Sequence, residues 1–549
     1  MGVRFDTYYK YDELTAILKA YAGAYPGFCR IFTMGQSPEG RELWMVEITN
    51  CACGVADAKP GFYIDGNTHA GEVTGSAAYL YTIHQLLTGY ASCAETRATV
   101  DGTVFYIRPR VSPDGAELYL TTPNNLRSVP RPYPTPERQP GLHPEDMDGD
   151  GWITLMRIAD PNGDWKVSDQ DPRFMVARGD DESGGTYYRL CPEGRIYGPV
   201  DATLKVAPAY WGMDLNRNYP ANWQPEHVQK GSGKYPLSEP ETRASADFIL
   251  NHPNIAMIIC YHTHGHFVFR PPSSKPAKDF SNFDINVVYK VLGDKYEEFT
   301  GGPVRQSYDE KTGSARIGSL MDWAYQHLGI VGWVPELWAW GKDYDGDGKI
   351  SELDYLRWND EELGGNGFVN WRSFEHPQLG PVEIGGWKTK FTSQNPPGKF
   401  LEPELKCHHA FTMYLARSLP RVVVSGVAVQ ALGADTYRVT ASVKNTGLLP
   451  TNLVDQAFAA QKAKPVRVSI ALEGLELLHG AAVQTVGHLP GRISRLGSSE
   501  TLYRYLYSMA GPMGAQEPAV DWVVKGKGQA VVTVVAEKAG TAERVVSIP

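Results

Sequence analysis

The spacing of apolar residues divides the chain into two parts that have different periodicities. In residues 1–419, short apolar runs alternate with stretches in which apolar residues recur at helical spacing. Three runs are apolar throughout, as is typical of buried strands, and lie at Phe62–Ile64, Ile255–Ile259 and Ile330–Val334. Helical spacing is found at Asp12–Tyr25, Ala77–Leu87 and Leu405–Leu419. Buried strands alternating with helices predict an α/β fold in which a mixed sheet is flanked by helices.

The pattern changes at Pro420, after which helical periodicity is almost absent and turns separate short β-rich runs. The strands predicted here are Val422–Val429, Thr436–Val443, Val466–Leu472 and Ala530–Val535. We therefore predict that an α/β domain of residues 1–419 is followed by a small all-β sandwich domain of residues 420–549. No cluster of catalytic side chains is evident in this tail, so we expect it to bind or to stabilise rather than to catalyse.

Composition and charge restrict the possible partners. The 549 residues are 42% hydrophobic and 21% charged, as in ordinary globular proteins, and the formal net charge of -9 argues against nucleic acid. No apolar run approaches the length of a membrane span, and no signal-like apolar stretch follows Met1. We therefore expect no membrane association and a cytoplasmic location, unless a signal was removed. The seven cysteines show no zinc-finger spacing, and nothing in the sequence indicates the oligomeric state.

Two of the buried strands end in residues that can bind a metal ion. Beyond Phe62–Ile64, His69 and Glu72 stand three residues apart and can reach one zinc ion together. The second strand ends in three alternating histidines, His262, His264 and His266. A catalytic zinc takes three protein ligands and an open position, which the first pair and one of these histidines would provide, although the sequence alone does not choose among the three. The alternative is an incidental pair in a surface loop and a surface histidine cluster.

The third buried strand and a polar turn add further candidate chemistry. Glu336 follows the strand in a tryptophan-rich stretch and is placed to act as a general base. In the turn Asp214–Tyr219, Asn216 and Arg217 are side chains that bind a carboxylate through several hydrogen bonds. The alternatives are an ordinary carboxylate at the edge of the sheet and an ordinary surface turn.

Aspartate-rich insertions interrupt the α/β pattern. The segment 343–354 has the spacing of an EF-hand calcium loop, and the ligands predicted in it are Asp343, Asp345, Asp347 and, at the twelfth position, Asp354. Asp146–Gly151 begins in the same way, but Arg157 stands at its twelfth position, so the closing carboxylate is missing. We predict bound calcium at the 343–354 loop, with a polar Asp-Gly turn as the alternative.

The order of these motifs resembles that of the zinc carboxypeptidases of the pancreatic carboxypeptidase A type. The shared motifs, spread over residues 6–418, are His69-x-x-Glu72, Pro113-Asp114-Gly115, Asn216-Arg217, the strand-ending His262, Gly318-Ser319-Leu320-Met321-Asp322-Trp323 and Glu336. The resemblance implies a carboxypeptidase-like fold. It also implies that zinc is bound by His69, Glu72 and His262, and that Glu336 is the general base.

The same resemblance implies further roles around the zinc. Asn216 and Arg217 would hold the terminal carboxylate of the substrate, and Asp214 would orient His69 by accepting a hydrogen bond from it. Arg157 would stabilise the oxyanion that forms during hydrolysis. One departure is Gly71, which stands where pancreatic members carry an arginine.

The resemblance also suggests how the last residue of the substrate is recognised. Tyr308 would correspond to the mobile tyrosine of the family, and Met321 would occupy a specificity position. An apolar, adaptable Met favours large aliphatic or aromatic residues over basic ones. Asp322 would instead bring a basic preference, and Arg316 an acidic one, if either side chain faced the pocket.

These observations predict a zinc-dependent exopeptidase that hydrolyses the C-terminal peptide bond of peptides. Its substrate would be a peptide with a free C-terminus, and a zinc-bound water with Glu336 as base would carry out the reaction. In a first alternative, the same site acts on a cell-wall peptide or another amide. In a second, the chain is a non-catalytic calcium-dependent binding protein, which the intact set of three ligands and Glu336 disfavours.

Overall fold

The computed structural model describes residues 2–199, 204–309, 311–313, 315–495 and 517–549. Its helices are α1 (Tyr11–Ala24), α2 (Thr74–Gly89), α3 (Ala94–Gly102), α4 (Pro113–Thr121), α5 (Pro240–Asn251), α6 (Lys290–Thr300), α7 (Leu320–Leu328), α8 (Glu352–Leu363), α9 (Gly398–Ser418) and α10 (Gln456–Ala459). The strands up to the end of α5 are β1 (Cys29–Gln36), β2 (Glu42–Ile48), β3 (Gly61–Gly66), β4 (Val104–Arg108), β5 (Gly141–Pro144), β6 (Leu155–Ala159), β7 (Trp165–Val167), β8 (Met175–Ala177), β9 (Tyr188–Pro192) and β10 (Gly194–Tyr197). The strands after α5 are β11 (Ile255–Thr263), β12 (Phe267–Arg270), β13 (Val304–Gln306), β14 (Val331–Leu337), β15 (Phe368–His376), β16 (Gly380–Trp387), β17 (Val422–Gly433), β18 (Thr436–Asn445), β19 (Arg467–His479), β20 (Val483–Thr485), β21 (Ala519–Ala536) and β22 (Gly540–Ile548).

An eight-stranded mixed sheet forms the centre of the first domain, in the order β1-β2-β4-β3-β11-β14-β12-β13. Its middle strands β4, β3, β11 and β14 run parallel. Strands β1 and β2 are joined to the sheet by antiparallel pairing, and β12 pairs antiparallel with β14 and parallel with β13. Strands β3 and β11 are buried along their whole length, which explains why their sequences are continuously apolar. The predicted mixed sheet flanked by helices is confirmed.

Helices cover both faces of this sheet. Helices α1, α2, α6 and α9 pack on one face in a core that includes Leu18 and Phe411, and α5 and α7 pack on the other with Phe248 and Trp323. Successive strand residues point to opposite faces, so the neighbours at 62 and 63 on β3 belong to different cores. No helix in the described ranges has the length and apolar character that crossing a membrane requires.

The two aspartate-rich insertions combine into a second sheet that the sequence patterns did not predict. Its strand order is β15-β16-β6-β9-β7-β8, and β16 pairs antiparallel with β6 so that Glu383 lies opposite Arg157. A separate two-stranded antiparallel sheet of β5 and β10 shares a small core with it, which includes Leu142 and Met156. Segments 226 residues apart therefore meet beside the central sheet.

The tail is a β-domain, as predicted, in which α10 is a short helix. The described strands form one hydrogen-bonded antiparallel sheet in the order β17-β18-β21-β19-β20, with β22 also paired to β21. The long strand β21 pairs with β18 along its first half and with β22 along its second, so the sheet closes over one core. The half-buried Lys538 donates a hydrogen bond of 2.7 Å to the carbonyl of Ile255, at the start of β11, and joins the tail to the first domain.

Candidate active site

Three neighbouring parallel strands bring the predicted site residues to one edge of the central sheet. The loop containing His69 and Glu72 follows β3, His262 lies near the end of β11, and Glu336 lies near the end of β14. In the register of the sheet His262 is directly opposite Glu336. Because the strands are parallel, their carboxyl ends meet at the same edge, which is where open α/β sheets place their sites.

Two histidines and a glutamate form a tight buried cluster at this edge. Nδ1 of His69 lies 2.8 Å from Oε1 of Glu72, and Nδ1 of His262 lies 2.8 Å from Oε2 of the same carboxylate. The two Nδ1 atoms are themselves only 3.0 Å apart. All three side chains are buried, and their ligand atoms lie within 4.8 Å of one another.

The surroundings of this cluster fit a bound cation. Asp214 Oδ1 lies 3.1 Å from Nε2 of His69, so this nitrogen carries the proton and Nδ1 presents its lone pair to the cluster. Two ring nitrogens and a carboxylate that converge in a buried space require a positive charge between them. Burial would lower the pKa of His262, but the Glu72 carboxylate outweighs burial and raises that pKa. Two histidines and one carboxylate are a ligand set of catalytic zinc.

The structure selects one histidine from the three that the sequence left open. His262 joins the cluster, whereas the side chain of His264 is exposed. His266 turns away, with Nε2 at 2.8 Å from the carbonyl of Thr300 and Nδ1 at 3.6 Å from Glu404. The choice of His262 that the family resemblance implied therefore agrees with the geometry.

Glu336 has the environment of a proton acceptor. Burial raises the pKa of this carboxyl group to about 7; the charge of Glu72 acts in the same direction, whereas His262, Arg127 and Arg316 oppose it. A carboxylate with a pKa close to neutrality is well matched to accepting and returning a proton.

Arg157, for which an oxyanion role was expected, does not lie at the cluster. The guanidinium of Arg157 is engaged in the insertion sheet, where it binds both carboxylate oxygens of Glu383 at 2.8 and 3.1 Å and lies over the ring of Trp371. Arg127 lies at the cluster instead. Its Nε donates to Asp214 at 2.9 Å, one terminal nitrogen lies 3.5 Å from Glu72, and 44% of the side chain is exposed.

Sequence reasoning missed Arg127 because it lies in a proline-rich stretch that was interpreted as a surface loop. The stretch is held against the metal loop by a backbone hydrogen bond of 2.9 Å from Ala70 to the carbonyl of Arg127. The available signal was an arginine placed between the Pro113-Asp114-Gly115 and Asn216-Arg217 motifs, before the insertion begins.

Asn216 and Arg217 lie on a single turn that begins at Asp214, whose carboxylate accepts the backbone N–H of Asn216. The side-chain oxygen of Asn216 accepts a hydrogen bond of 3.1 Å from the backbone of Leu320, which leaves its amide N–H groups for a ligand. Arg217 donates only one hydrogen bond among the described residues, to the carbonyl of Asn216 at 2.8 Å. Burial lowers the pKa of Arg217; Asp214 opposes this, and the positive charges of Arg127 and Arg316 add to it. Among the described residues, no carboxylate lies within ion-pair distance of this half-buried guanidinium, so it can bind an anionic ligand.

The predicted specificity residues occupy different environments. Met321 is 2% exposed and packs in the core against Gly332. Asp322 is buried and accepts hydrogen bonds from Ser273 and Ser319, and Arg316 donates to the carbonyl of Ser307. The half-buried Tyr308 lies with its hydroxyl near Gly313. The roles of Met321 and Tyr308 stay predictions.

A second buried network supports the two strand ends. Glu404 on α9 accepts hydrogen bonds from the backbone N–H of Trp338 at 2.7 Å and from Nε2 of His408 at 3.1 Å, and it also faces His266. Burial would raise the pKa of Glu404, but the two histidines outweigh burial and hold that pKa well below its usual range. Trp338 and His266 follow Glu336 and His262 in the chain, so Glu404 ties together the loops that carry these two site residues.

At each of the two aspartate-rich loops, three carboxylate side chains lie close together. Asp343, Asp345 and Asp347 converge, whereas Asp354 binds Ser351 and caps the start of α8. In the earlier loop Asp146 and Asp148 are joined by Glu193, which follows β9, in place of the missing twelfth-position carboxylate. Glu193 also accepts hydrogen bonds from the backbone of Met147 and Thr154.

Comparisons with known families agree with the resemblance inferred from the motifs. A family model described as zinc carboxypeptidase matches residues 14–344, a range that includes the proposed site residues from His69 to Glu336. Residues 421–547 match a model described as a domain of unknown function. Calcium is not indicated by these matches. The predicted resemblance is confirmed.

Individual relatives are distant or align only in part. Human carboxypeptidase A6 is 23% identical over 336 residues, which make up 59% of this chain and 59% of that protein. Carboxypeptidase D of Anas platyrhynchos is 32% identical over 111 residues, 20% of this chain and 8% of that protein. The chain therefore spans less than two thirds of these relatives. A crystal structure of thrombin activatable fibrinolysis inhibitor aligns over 75% of this chain and 74% of its own, with 16% identity and a TM-score of 0.45.

Proposed function

The chain belongs to the zinc carboxypeptidase family, and from this membership and the geometry of its site we propose that it is an exopeptidase that hydrolyses the C-terminal peptide bond of peptides. One observation carries this proposal. Asn216 and Arg217 lie on the turn that begins at Asp214, and Asp214 contacts the His–Glu–His cluster. Glu336 lies on β14, opposite His262 on β11. A substrate whose carboxylate is bound by these donors would place its last peptide bond at the cluster.

Each residue contributes a separate step. His69, Glu72 and His262 would hold zinc, which when bound polarises a carbonyl oxygen and lowers the pKa of water. Glu336 takes a proton from the attacking water and delivers it to the amine nitrogen as the carbon–nitrogen bond breaks and a carbon–oxygen bond forms. Arg127 donates hydrogen bonds to the oxygen on which negative charge develops. Asp214 holds the proton of His69 at Nε2.

The first prediction concerns the terminal carboxylate. A peptide that ends in Phe should be hydrolysed about 10²- to 10³-fold faster, in kcat/KM, than the same peptide ending in Phe-amide, because the amide leaves Arg217 without its anion. Arg217→Ala should lose a similar factor on the free peptide and should hydrolyse both peptides at similar rates. The measurement is peptide hydrolysis followed by mass spectrometry.

Arg438→Ala is the matched control, because Arg438 is an exposed arginine of the C-terminal sheet. Equal rates on the free and amidated peptides would contradict the proposal and support the alternative of a general amide hydrolase. Peptides that end in Leu, Lys and Glu complete the assay. We expect Lys to be the poorest last residue, since Arg127, Arg217 and Arg316 bring positive charge to the site.

We further propose that the loop 343–354 binds calcium in a structural role, since Asp343, Asp345 and Asp347 converge there. Calcium at a hundredfold excess over its Kd should stabilise the protein by about 2.7 kcal/mol and raise its melting temperature. Asp345→Ala should remove most of this response, and Asp247→Ala, an exposed aspartate on α5, should keep it. A wild-type protein whose melting temperature does not change with calcium would identify the loop as a polar turn.

A further inference from the structure

A cleft of about 520 Å³ opens beside Arg127 and is built largely by the insertions. Its walls come from the stretch that follows α4, from the loops around β6, and from the end of β16. The lining residues that matter for its chemistry are Arg127, Trp152, Leu155, Val206, Trp211 and Trp387. A pocket of this volume accommodates a drug-sized ligand, about the size of two to four amino-acid residues.

Several large apolar residues of the cleft lining are exposed to solvent. Leu155 is 38% exposed and Val206 is 50% exposed, although both are large apolar residues. The rings of Trp152, Trp211 and Trp387 are half-buried. Trp387 is fixed in place, because its indole N–H donates a hydrogen bond of 2.7 Å to Glu352. Contiguous apolar surface of this kind, rimmed by polar groups, marks a binding groove.

The cleft is continuous with the proposed active site through one residue. Arg127 lines the cleft and also binds Asp214, which contacts the metal cluster. Asn216 and Arg217 do not contribute to the cleft lining. An enzyme that removes one C-terminal residue has only that residue beyond the bond it cuts, and the Asn216–Arg217 turn accounts for it. A cleft that begins at Arg127 and holds several residues therefore has the upstream part of the peptide as its occupant.

We propose that this cleft binds the two to four substrate residues that precede the cleaved bond and that it selects bulky apolar side chains among them. The inference rests on the proposed exopeptidase function. The charges of the lining refine the selectivity. Arg127 and Arg138 are in the lining, and no carboxylate is found among its described residues. Apolar upstream residues are therefore favoured, acidic ones are accepted, and basic ones are rejected.

Kinetics on peptides of two lengths test the proposal. The short substrate is acetyl-Ala-Phe, and the long ones are acetyl-X-X-Ala-Phe with X as Leu, Glu or Lys. We expect the Leu peptide to exceed the short substrate by about tenfold or more in kcat/KM, since burial of one large apolar side chain is worth about that factor. The Lys peptide should gain nothing. Trp211→Ala and Leu155→Asp should remove the gain while leaving hydrolysis of acetyl-Ala-Phe unchanged.

Leu155 is exposed, so Leu155→Asp alters the cleft without disrupting the core. The new carboxylate should raise kcat/KM for the Lys peptide relative to that for the Leu peptide. Trp165→Ala is the matched control, since Trp165 is 36% exposed and lies outside the cleft lining. Equal rates on short and long substrates in the wild type would overturn the proposal. The proposal would also be overturned if the two cleft variants lowered kcat/KM for the short and the long substrates by the same factor.

A binding measurement separates this inference from the proposed function. The zinc-loaded protein is titrated calorimetrically with acetyl-Leu-Leu-Ala-amide, which has no terminal carboxylate for the Asn216–Arg217 turn to hold. We expect Trp211→Ala and Leu155→Asp to weaken binding about tenfold or more. Binding that these variants leave unchanged overturns the cleft proposal even when peptides are hydrolysed. Binding that they weaken, in a protein that hydrolyses no peptide, upholds the cleft and overturns the exopeptidase.

Discussion

Glu336→Gln is expected to lower kcat by about two to four decades while the protein keeps its zinc. The amide has nearly the same shape as the carboxylate but cannot accept a proton from water. Glu336 is not a member of the His–Glu–His cluster, so the metal ligands stay intact. Because burial disfavours the ionised carboxylate, the neutral amide should fold at least as well as the wild type. The measurement is peptide hydrolysis together with the zinc content of the purified variant.

His262→Ala and His264→Ala provide the contrast for this experiment. His262→Ala should lose zinc and activity together, whereas His264→Ala should keep both, because the His264 side chain is exposed. A Glu336→Gln variant with near-normal turnover would show that another group accepts the proton. Zinc lost from His264→Ala but retained by His262→Ala would mean that the wrong histidine was assigned to the cluster.

The pH dependence of kcat/KM should report the ionisation of Glu336. Burial raises the pKa of Glu336 to about 7 from an ordinary value of 4.5, and the positive charge of bound zinc acts in the opposite direction. The base must be ionised, so activity is lost as the pH falls through the pKa of Glu336. We therefore expect the acidic limb of the wild-type profile to have an apparent pKa between 4.5 and about 7. The residual activity of Glu336→Gln should show no acidic limb in this range.

The sequence was most informative where strands and side chains follow from local pattern. The continuous apolar runs of β3, β11 and β14 predicted buried strands, and the polar residues directly after them predicted where these strands deliver their chemistry. In a parallel arrangement this was enough to expect His69, Glu72, His262 and Glu336 at one edge. The family resemblance supplied the choice of His262, which alternating histidines on one strand cannot provide by themselves.

Local sequence pattern could not predict the features that depend on strand pairing between segments far apart in the chain. Arg157 stood at a plausible distance along the chain, but pairing of β6 with β16 places it opposite Glu383, a partner 226 residues away. The cleft and the support that Glu404 gives to two loops depend on similar contacts between distant segments. In the tail, alternating strands predicted a β-domain, but they could not predict that the two halves of β21 pair with different neighbours.

The second large effect is expected from Arg127, the arginine that lies at the cluster and for which we propose the oxyanion role. Arg127→Ala should lower kcat about 10²- to 10³-fold, because it removes a donor to the oxygen that becomes negative in the transition state. Arg157→Ala should leave kcat nearly unchanged and should lower the melting temperature, since it breaks the pairing with Glu383 in the insertion sheet. The measurements are kcat, zinc content and thermal unfolding of both variants.

A further comparison separates a donor role of Arg127 from its contact with Asp214. Added guanidinium should restore part of the activity of Arg127→Ala, because a small cation can enter the exposed position that the side chain leaves. Arg127→Lys should recover less than the wild type, since an ammonium group lacks the two-pronged geometry of a guanidinium. If Arg127→Ala instead loses zinc in proportion to activity, the arginine acts through Asp214 and His69. A large loss of kcat in Arg157→Ala, with normal kcat in Arg127→Ala, would restore the original assignment.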